Sequence, residues 1–155
     1  MIVVNYVSVN DLVTLGKDFP WERPRCPKCG LWMWWHGWTY AYFSNYPQGV
    51  YIRRVRCTHC QKVHRLKPTG YWRKFRYSHP EIRRAMKHRQ ETGCFPKEIA
   101  LKPTMQKWWR ALSRMVKAVL GISYPGSLLE GFDALIAKHI IPVSTVRQCD
   151  SQTVT

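Results

Sequence analysis

Four cysteines in two C-x-x-C pairs, Cys26-Pro27-Lys28-Cys29-Gly30 and Cys57-Thr58-His59-Cys60, constrain this chain more than any other feature. The spacing lets both sulfurs of a pair turn onto one ion while backbone amides point at them. Four soft thiolates make the closed tetrahedral set of structural zinc. The 27 residues between the pairs exceed the interval of roughly 15 to 20 usual in zinc ribbons, so a hairpin is needed to bring the ends together. A thioredoxin-like redox pair is the other reading of C-x-x-C, but no βαβ pattern surrounds either pair. With four protein ligands there is no open position for water, so the expected Zn2+ holds the fold and performs no chemistry. His64 is a candidate substitute ligand or sulfur partner, with a surface role in a basic strand as the plainer reading. Cys94 and Cys149 read as thiols outside the site.

The intervening residues supply the hairpin. Leu31 to Phe43 are nearly all aromatic or apolar, and Val50 to Val55 are β-branched or Tyr apart from two arginines, so both segments read as strands. Tyr46-Pro47-Gln48-Gly49 suits a type I turn between them. Strict alternation places Trp32, Trp34, Trp38, Tyr40 and Tyr42 on one face and Leu31, Met33, Trp35 and Phe43 on the other. Both faces then need cover. The plain expectation is burial against the N-terminal segment and the helices; the sharper one is a face that stacks on bases or docks a protein.

Charge restricts the partner. The 155 residues carry 25 Lys plus Arg against nine Asp plus Glu, a formal net charge of +16, yet are 45% hydrophobic with eight Trp. This is a folded basic chain facing a polyanion, not a basic tail. Thirteen basic residues and one acid, Glu81, fall between positions 53 and 89. Arg53, Arg54, Arg56, Arg65, Arg73, Lys74, Arg76, Arg83 and Arg84 are the candidate phosphate contacts there. No secretory leader and no apolar run of bilayer length is evident, so a cytoplasmic, nucleoid-associated protein without membrane contact is expected.

Beyond the ribbon the pattern turns helical. Ser78-His79-Pro80-Glu81 has the form of a capping box opening a helix to about Thr92, Pro96 to Ala100 suits a short helix, and Pro103 to Leu120 a long one before Gly121. In the long helix Met105, Trp108, Trp109, Leu112, Met115, Val116 and Val119 fall on one side, and Gln106, Lys107, Arg110, Ser113, Arg114 and Lys117 on the other. Helix, short helix, long helix is the order of a helix-turn-helix reader, alongside the plainer reading of an amphipathic surface helix. In the reader, Thr104, Gln106, Lys107 and Arg110 approach base edges while Arg114 and Lys117 reach phosphates. Ser127-Leu128-Leu129-Glu130 repeats the capping device before a last helix.

The fold class expected is therefore α+β, an N-terminal zinc-ribbon β-hairpin followed by a helix-turn-helix bundle. Its divisions are 1–22, a segment packing on the ribbon; 23–77, the ribbon; 78–121, the helix-turn-helix; 122–143, the C-terminal helix; and 144–155, a flexible tail.

Cys-Pro-Lys-Cys-Gly, the run Ile52-Arg53-Arg54-Val55-Arg56-Cys57-Thr58-His59-Cys60 with His64 and Pro68 behind it, and Tyr77-Ser78 together resemble bacterial zinc-ribbon proteins associated with insertion-sequence transposases. The likeness covers about Pro24 to Leu112. Glu98-Ile99-Ala100 through Thr104 to Trp108-Trp109 is similar to the Glu-Ile-Ala, Ser/Thr-x-x-x-Trp pattern of their helix-turn-helix, with Pro103 where Ser is usual. The resemblance implies DNA binding linked to mobile elements, in end or target recognition or in regulation, with a transposition or recombination protein as a further partner.

The nine acids are scattered among basic residues, caps and termini, and no phosphate loop or nucleophile motif occurs, so no enzyme is expected. Duplex DNA is the leading partner. The alternatives are an RNA-binding ribbon module using the aromatic hairpin, and an adaptor docking a recombinase or polymerase through its Trp-rich strand.

Overall fold

The computed structural model describes residues 2–4 and 6–144, which form two compact units that divide between Ser78 and His79. Cys149 and the tail expected beyond Ser144 lie outside the described residues.

The first unit is built on a four-stranded sheet in the order β1-β4-β3-β2, from Ile2–Val4 (β1), Trp34–Phe43 (β2), Tyr46–Arg56 (β3) and Val63–Pro68 (β4). β2, β3 and β4 run antiparallel in sequence order, and β1 adds to β4 in parallel with Ile2 opposite Leu66. Between β1 and β2 a short helix, Val9–Leu15 (α1), packs on β3. Its capping box is Ser8 with Asp11, the Ser8 hydroxyl accepting from the Asp11 amide at 3.2 Å. A single core cluster runs from Val7, Leu12 and Met33 through Ile52, Val55 and Leu66 to Cys26 and Cys57.

The hairpin forms with two departures from simple alternation. Phe43 pairs with Tyr46, so the reversal is Ser44-Asn45 and not 46–49. Pro47 has no amide to give a ladder and Gly49 sits at φ +86°, so Pro47-Gln48-Gly49 becomes extra length in β3 between Phe43↔Tyr46 and Ala41↔Val50. A second bulge lies in β2, where Trp35 pairs with Val55 and Trp38 with Arg53. Gly37 at φ +76° absorbs the extra residue. The slip brings Trp35 and Trp38 onto the same side as Arg53, correcting the two-face assignment made by strict alternation.

The second unit packs three helices, His79–Thr92 (α2), Lys102–Val119 (α3) and Leu128–Ala137 (α4). Met105, Trp108, Ala111, Leu112 and Val116 of α3 are buried with Ile82, Ala85 and Met86 of α2 and Phe132 and Leu135 of α4. Trp109 and Met115 are half-buried and Val119 is exposed, so the apolar stripe is narrower than the sequence pattern indicated. The short helix expected over Pro96–Ala100 is a turn. The Ser127–Glu130 capping box is present, with Glu130 accepting from the Ser127 amide at 2.6 Å. Arg83 forms a two-pronged pair with Asp133, Nε to Oδ1 at 2.8 Å and Nη2 to Oδ2 at 2.6 Å, tying α2 to α4.

Candidate metal centre and basic surfaces

The two cysteine pairs occupy equivalent hairpin ends. The first is flanked by the bridge Arg25↔Trp32 and the second by the pair Arg56↔Val63, each one residue before and three after its cysteines. The Cys26 amide donates to the Leu31 carbonyl at 2.8 Å, and the Cys57 amide to Lys62 at 3.0 Å. The residue after each pair takes a left-handed backbone: Gly30 at φ +73° and Gln61 at φ +56°. Gly adopts that conformation freely; Gln61 is held there by accepting from Arg56 Nη2 and donating to the Thr58 carbonyl.

All four sulfurs lie within 4.8 Å of one another, Cys26 and Cys57 buried and Cys29 and Cys60 half-buried. Cys26 Sγ is 3.5 Å from Cys60 Sγ, and Cys29 Sγ is 3.3 Å from Cys57 Sγ. A disulfide needs about 2.05 Å, whereas a tetrahedron of sulfurs around one metal has edges of about 3.8 Å for 2.3 Å bonds. The cluster can therefore hold a metal ion.

Its electrostatics are divided. The amides of Cys29 and Lys28 draw the Cys26 thiol down to about 6, and the Cys60 amide lowers Cys57. At Cys29 the Leu31 amide pulls down, but the Cys57 thiol, burial and Cys26 outweigh it and push the group up to about 11. Cys60 is raised in the same way, against the Lys62 amide, by burial and the Cys26 and Cys57 sulfurs. One thiol in each pair is shifted toward its ionised form and the other away from it, and a cation among the sulfurs would favour the ionised form of all four. His64 lies on β4 opposite Val55, outside the cluster, with its pKa lowered by burial. Cys94 is an exposed free thiol.

The aromatic strand is less covered than the plain expectation held. Trp32, Trp34, Trp35, Tyr40 and Tyr42 remain exposed on the edge strand and its approach. Guanidinium groups lie near several of these rings. Arg25 stands 4.3 Å from the Trp32 ring and Arg23 4.8 Å from that of Trp34, while Arg53 lies 4.3 Å from Trp38 and 4.8 Å from Trp35. Arg23 and Arg25 were not among the sequence candidates, although Arg-Pro-Arg just before Cys26 signals them.

The other candidate contacts separate into groups. Arg54 is half-buried, with its guanidinium against Gly37 and its position opposite Arg65 across β3 and β4. Arg56 is exposed beside Gln61. Arg65, Arg73, Lys74 and Arg76 gather around one cleft. In the second unit Arg83 is taken by Asp133, and Arg84 is exposed. On α3, Lys107, Arg110, Arg114 and Lys117 are exposed while Thr104 and Gln106 are half-buried. Sequence reasoning missed Lys67, which also lines the cleft. Among the described residues no helix is long and apolar enough to cross a membrane.

No curated protein and no solved structure matches the chain significantly. From the first cysteine of the cluster to Trp108 of α3, residues 26–108 match the model of a domain of unknown function, DUF6431; this is more than half of the chain, which belongs to that family.

Proposed function

We propose that this chain is a zinc-held protein that binds duplex DNA, a ribbon followed by a helix-turn-helix, serving mobile elements in end or target recognition or in regulation. Zinc is favoured by the donor set: four thiolates on two hairpin ends make a closed, soft tetrahedral site, with no carboxylate or imidazole in the cluster. When bound, the ion supplies cohesion only. The residues around it supply the thiolates, the aimed amides and the left-handed turns.

The observation that carries the DNA reading is α3. Its buried face is fully occupied by the packing of its own unit, and its outer face presents Lys107, Arg110, Arg114 and Lys117 to solvent. In this reading α2, the 97–99 turn that stands in place of the short helix expected over Pro96–Ala100, and α3 form the helix-turn-helix, with α3 as the reading helix. The family match runs from Cys26 to Trp108, seven residues into α3, which supports the cysteine pairs and the start of that helix as one unit of sequence; Arg110, Arg114 and Lys117 lie beyond it. The link to mobile elements, and a recombination protein as partner, rest on the resemblance to transposase-associated ribbon proteins.

The test is a selection from randomised duplexes. Arg110→Ala is expected to flatten the preference between sites, because a bidentate contact to a base edge is worth about 1 to 3 kcal/mol of discrimination. Lys117→Ala should weaken all sites alike and reduce the salt slope by about one unit. Equal losses on every sequence from both variants would leave α3 a basic surface and end the helix-turn-helix reading.

A further inference from the structure

The two faces of the hairpin differ, and the one turned away from the cleft lined by Arg65 and Lys67 is aromatic. Trp38 pairs with Arg53 and Tyr40 with Tyr51, so alternation puts Trp38, Tyr40 and Tyr42 of β2 on one face with Tyr51 and Arg53 of β3. The bulge at Gly37 brings Trp35 onto the same face. The Tyr40 and Tyr51 rings meet at 4.2 Å between centroids. Gly49 decides how the outer tyrosines lie. A Cβ there would meet Tyr40 Cδ1 at 3.0 Å and Tyr42 Cε1 at 3.1 Å, so both rings lean over the bare backbone of β3, and both remain about half exposed.

Cover and charge narrow the choice of partner. α1 packs on β3, and the segment after it reaches the aromatic face, where Lys17 Nζ lies 4.5 Å from the Tyr51 ring. β2 is the edge strand, and Trp35, Tyr40 and Tyr42 stay exposed along it. Next to Trp35 and Trp38 a recess of about 300 Å³ is lined by Lys17, Trp21 and Arg53 among others, and by no acid. Neither β2 nor β3 contains an acidic residue. The Arg53 guanidinium stands 4.3 Å from the Trp38 ring and 4.8 Å from that of Trp35; stacking engages its plane and leaves the N–H groups of its rim to meet phosphate. Same-face residues follow one another about 6.8 Å apart along a strand, so the row presents its rings one after another. An unpaired strand has a π-face on every base and a phosphate on every nucleotide, which this combination of rings and cations complements, whereas a duplex keeps its bases stacked inside.

We infer that the aromatic face of the hairpin binds an unpaired strand of nucleic acid, with bases on Tyr42, Tyr40 and the Trp38 end of the row and phosphates on Lys17 and Arg53. The inference goes beyond the duplex reading, and none of its residues lies on α3.

The experiment measures binding of the full zinc-loaded chain to fluorescent (dT)10 and, in parallel, to (rU)10, with the unlabelled strand and inorganic polyphosphate as competitors. Binding of either strand that Tyr42→Ala weakens about tenfold, and that Tyr42→Phe retains, supports the inference, and the tighter strand names the sugar. Lys17→Gln, at an exposed position, should weaken binding and reduce the salt slope by about 0.7. Arg110→Ala should leave strand binding unchanged. The same results with duplex preference untouched by Arg110→Ala would support the aromatic face while ending the α3 reading. A Tyr42→Ala chain that melts normally and binds both strands as the original does would overturn the inference. Polyphosphate competing as strongly as the unlabelled strand would also overturn it, because charge alone would then account for binding. Concentration-dependent dimerisation that Tyr42→Ala abolishes, with neither strand bound, would overturn it in favour of a second copy of the chain.

Discussion

The first unit closes its core around buried cysteines, aliphatic side chains and the rings of Phe43 and Tyr71, and leaves Trp32, Trp34 and Trp35 outside. The second buries Trp108 and Phe132 between helices and leaves charge outside. Four cysteine side chains that can hold a metal give the first unit a point of cohesion, and arginines lie near the rings left at its surface. The described residues of the helical unit hold no such cluster, and Trp108 and Phe132 go into its packing. The exposed aromatic surface of the first unit and the exposed basic helix of the second follow from that difference.

Removing the metal should separate the two most strongly. Cys57→Ser, or chelation of the original chain, is expected to collapse amide-exchange protection in β2, β3 and β4 and to abolish the one tightly held zinc. α3 and α4 should stay protected, since structural zinc is worth about 10 to 16 kcal/mol to small domains that depend on it. Loss of protection in α3 to the same extent would break the comparison. Leu112→Ala is the converse. It should cost the helical unit about 2 to 5 kcal/mol by thermal or urea unfolding while zinc content stays at one per chain.

The pair between Arg83 and Asp133 gives a smaller effect, read by pH. The hydrogen bonds from Arg83 hold the Asp133 carboxyl below the usual range. A depressed carboxylate stabilises the fold above its unfolded pKa of about 4 and loses that contribution as pH falls through the folded value. Asp133→Asn should therefore lower the stability of the helical unit at pH 7, by at most about 1 kcal/mol because both side chains are exposed. The two proteins should converge in stability in acid below pH 4. A gap that persists unchanged there would assign the loss to packing.

The smallest effect is at the second cysteine turn. Gln61→Gly relieves the left-handed strain that Gly30 avoids at the equivalent position and should raise the melting temperature of the zinc-loaded chain, by about 0.5 to 1 kcal/mol of stability. A drop would show that the bonds from Gln61 to Arg56 and Thr58 matter more than its backbone.

The same contrast explains what could be read from the amino acids. The cysteine turns were legible because their chemistry is local, four residues at a time. α2, α3 and α4 were legible from the 3.6-residue period and from Ser127 with Glu130, although the period overstated burial at Trp109 and Val119 and the helix read over Pro96–Ala100 is a turn. What escaped depends on distant pairings. Ile2 meets Leu66 in parallel, and nothing near Ile2 specifies that partner. Ser8 with Asp11 is a capping box hidden in an apolar stretch. Pro47 and Gly49 carry a turn signal that the longer ladder converts into a bulge. The Arg83 side chain reads as free until Asp133 is folded beside it. The basic cleft was half visible: four of its cations were picked out by charge, but Lys67 joins them only through the β3–β4 register.

The central proposal, duplex DNA bound through an extended basic surface, is tested most directly by titrating salt against binding of the zinc-loaded chain to a duplex containing its selected site. If six to eight of the basic residues engage phosphates, log K against log salt should fall with a slope of about −5 to −7. A slope near zero would contradict it and assign the chain to a protein partner.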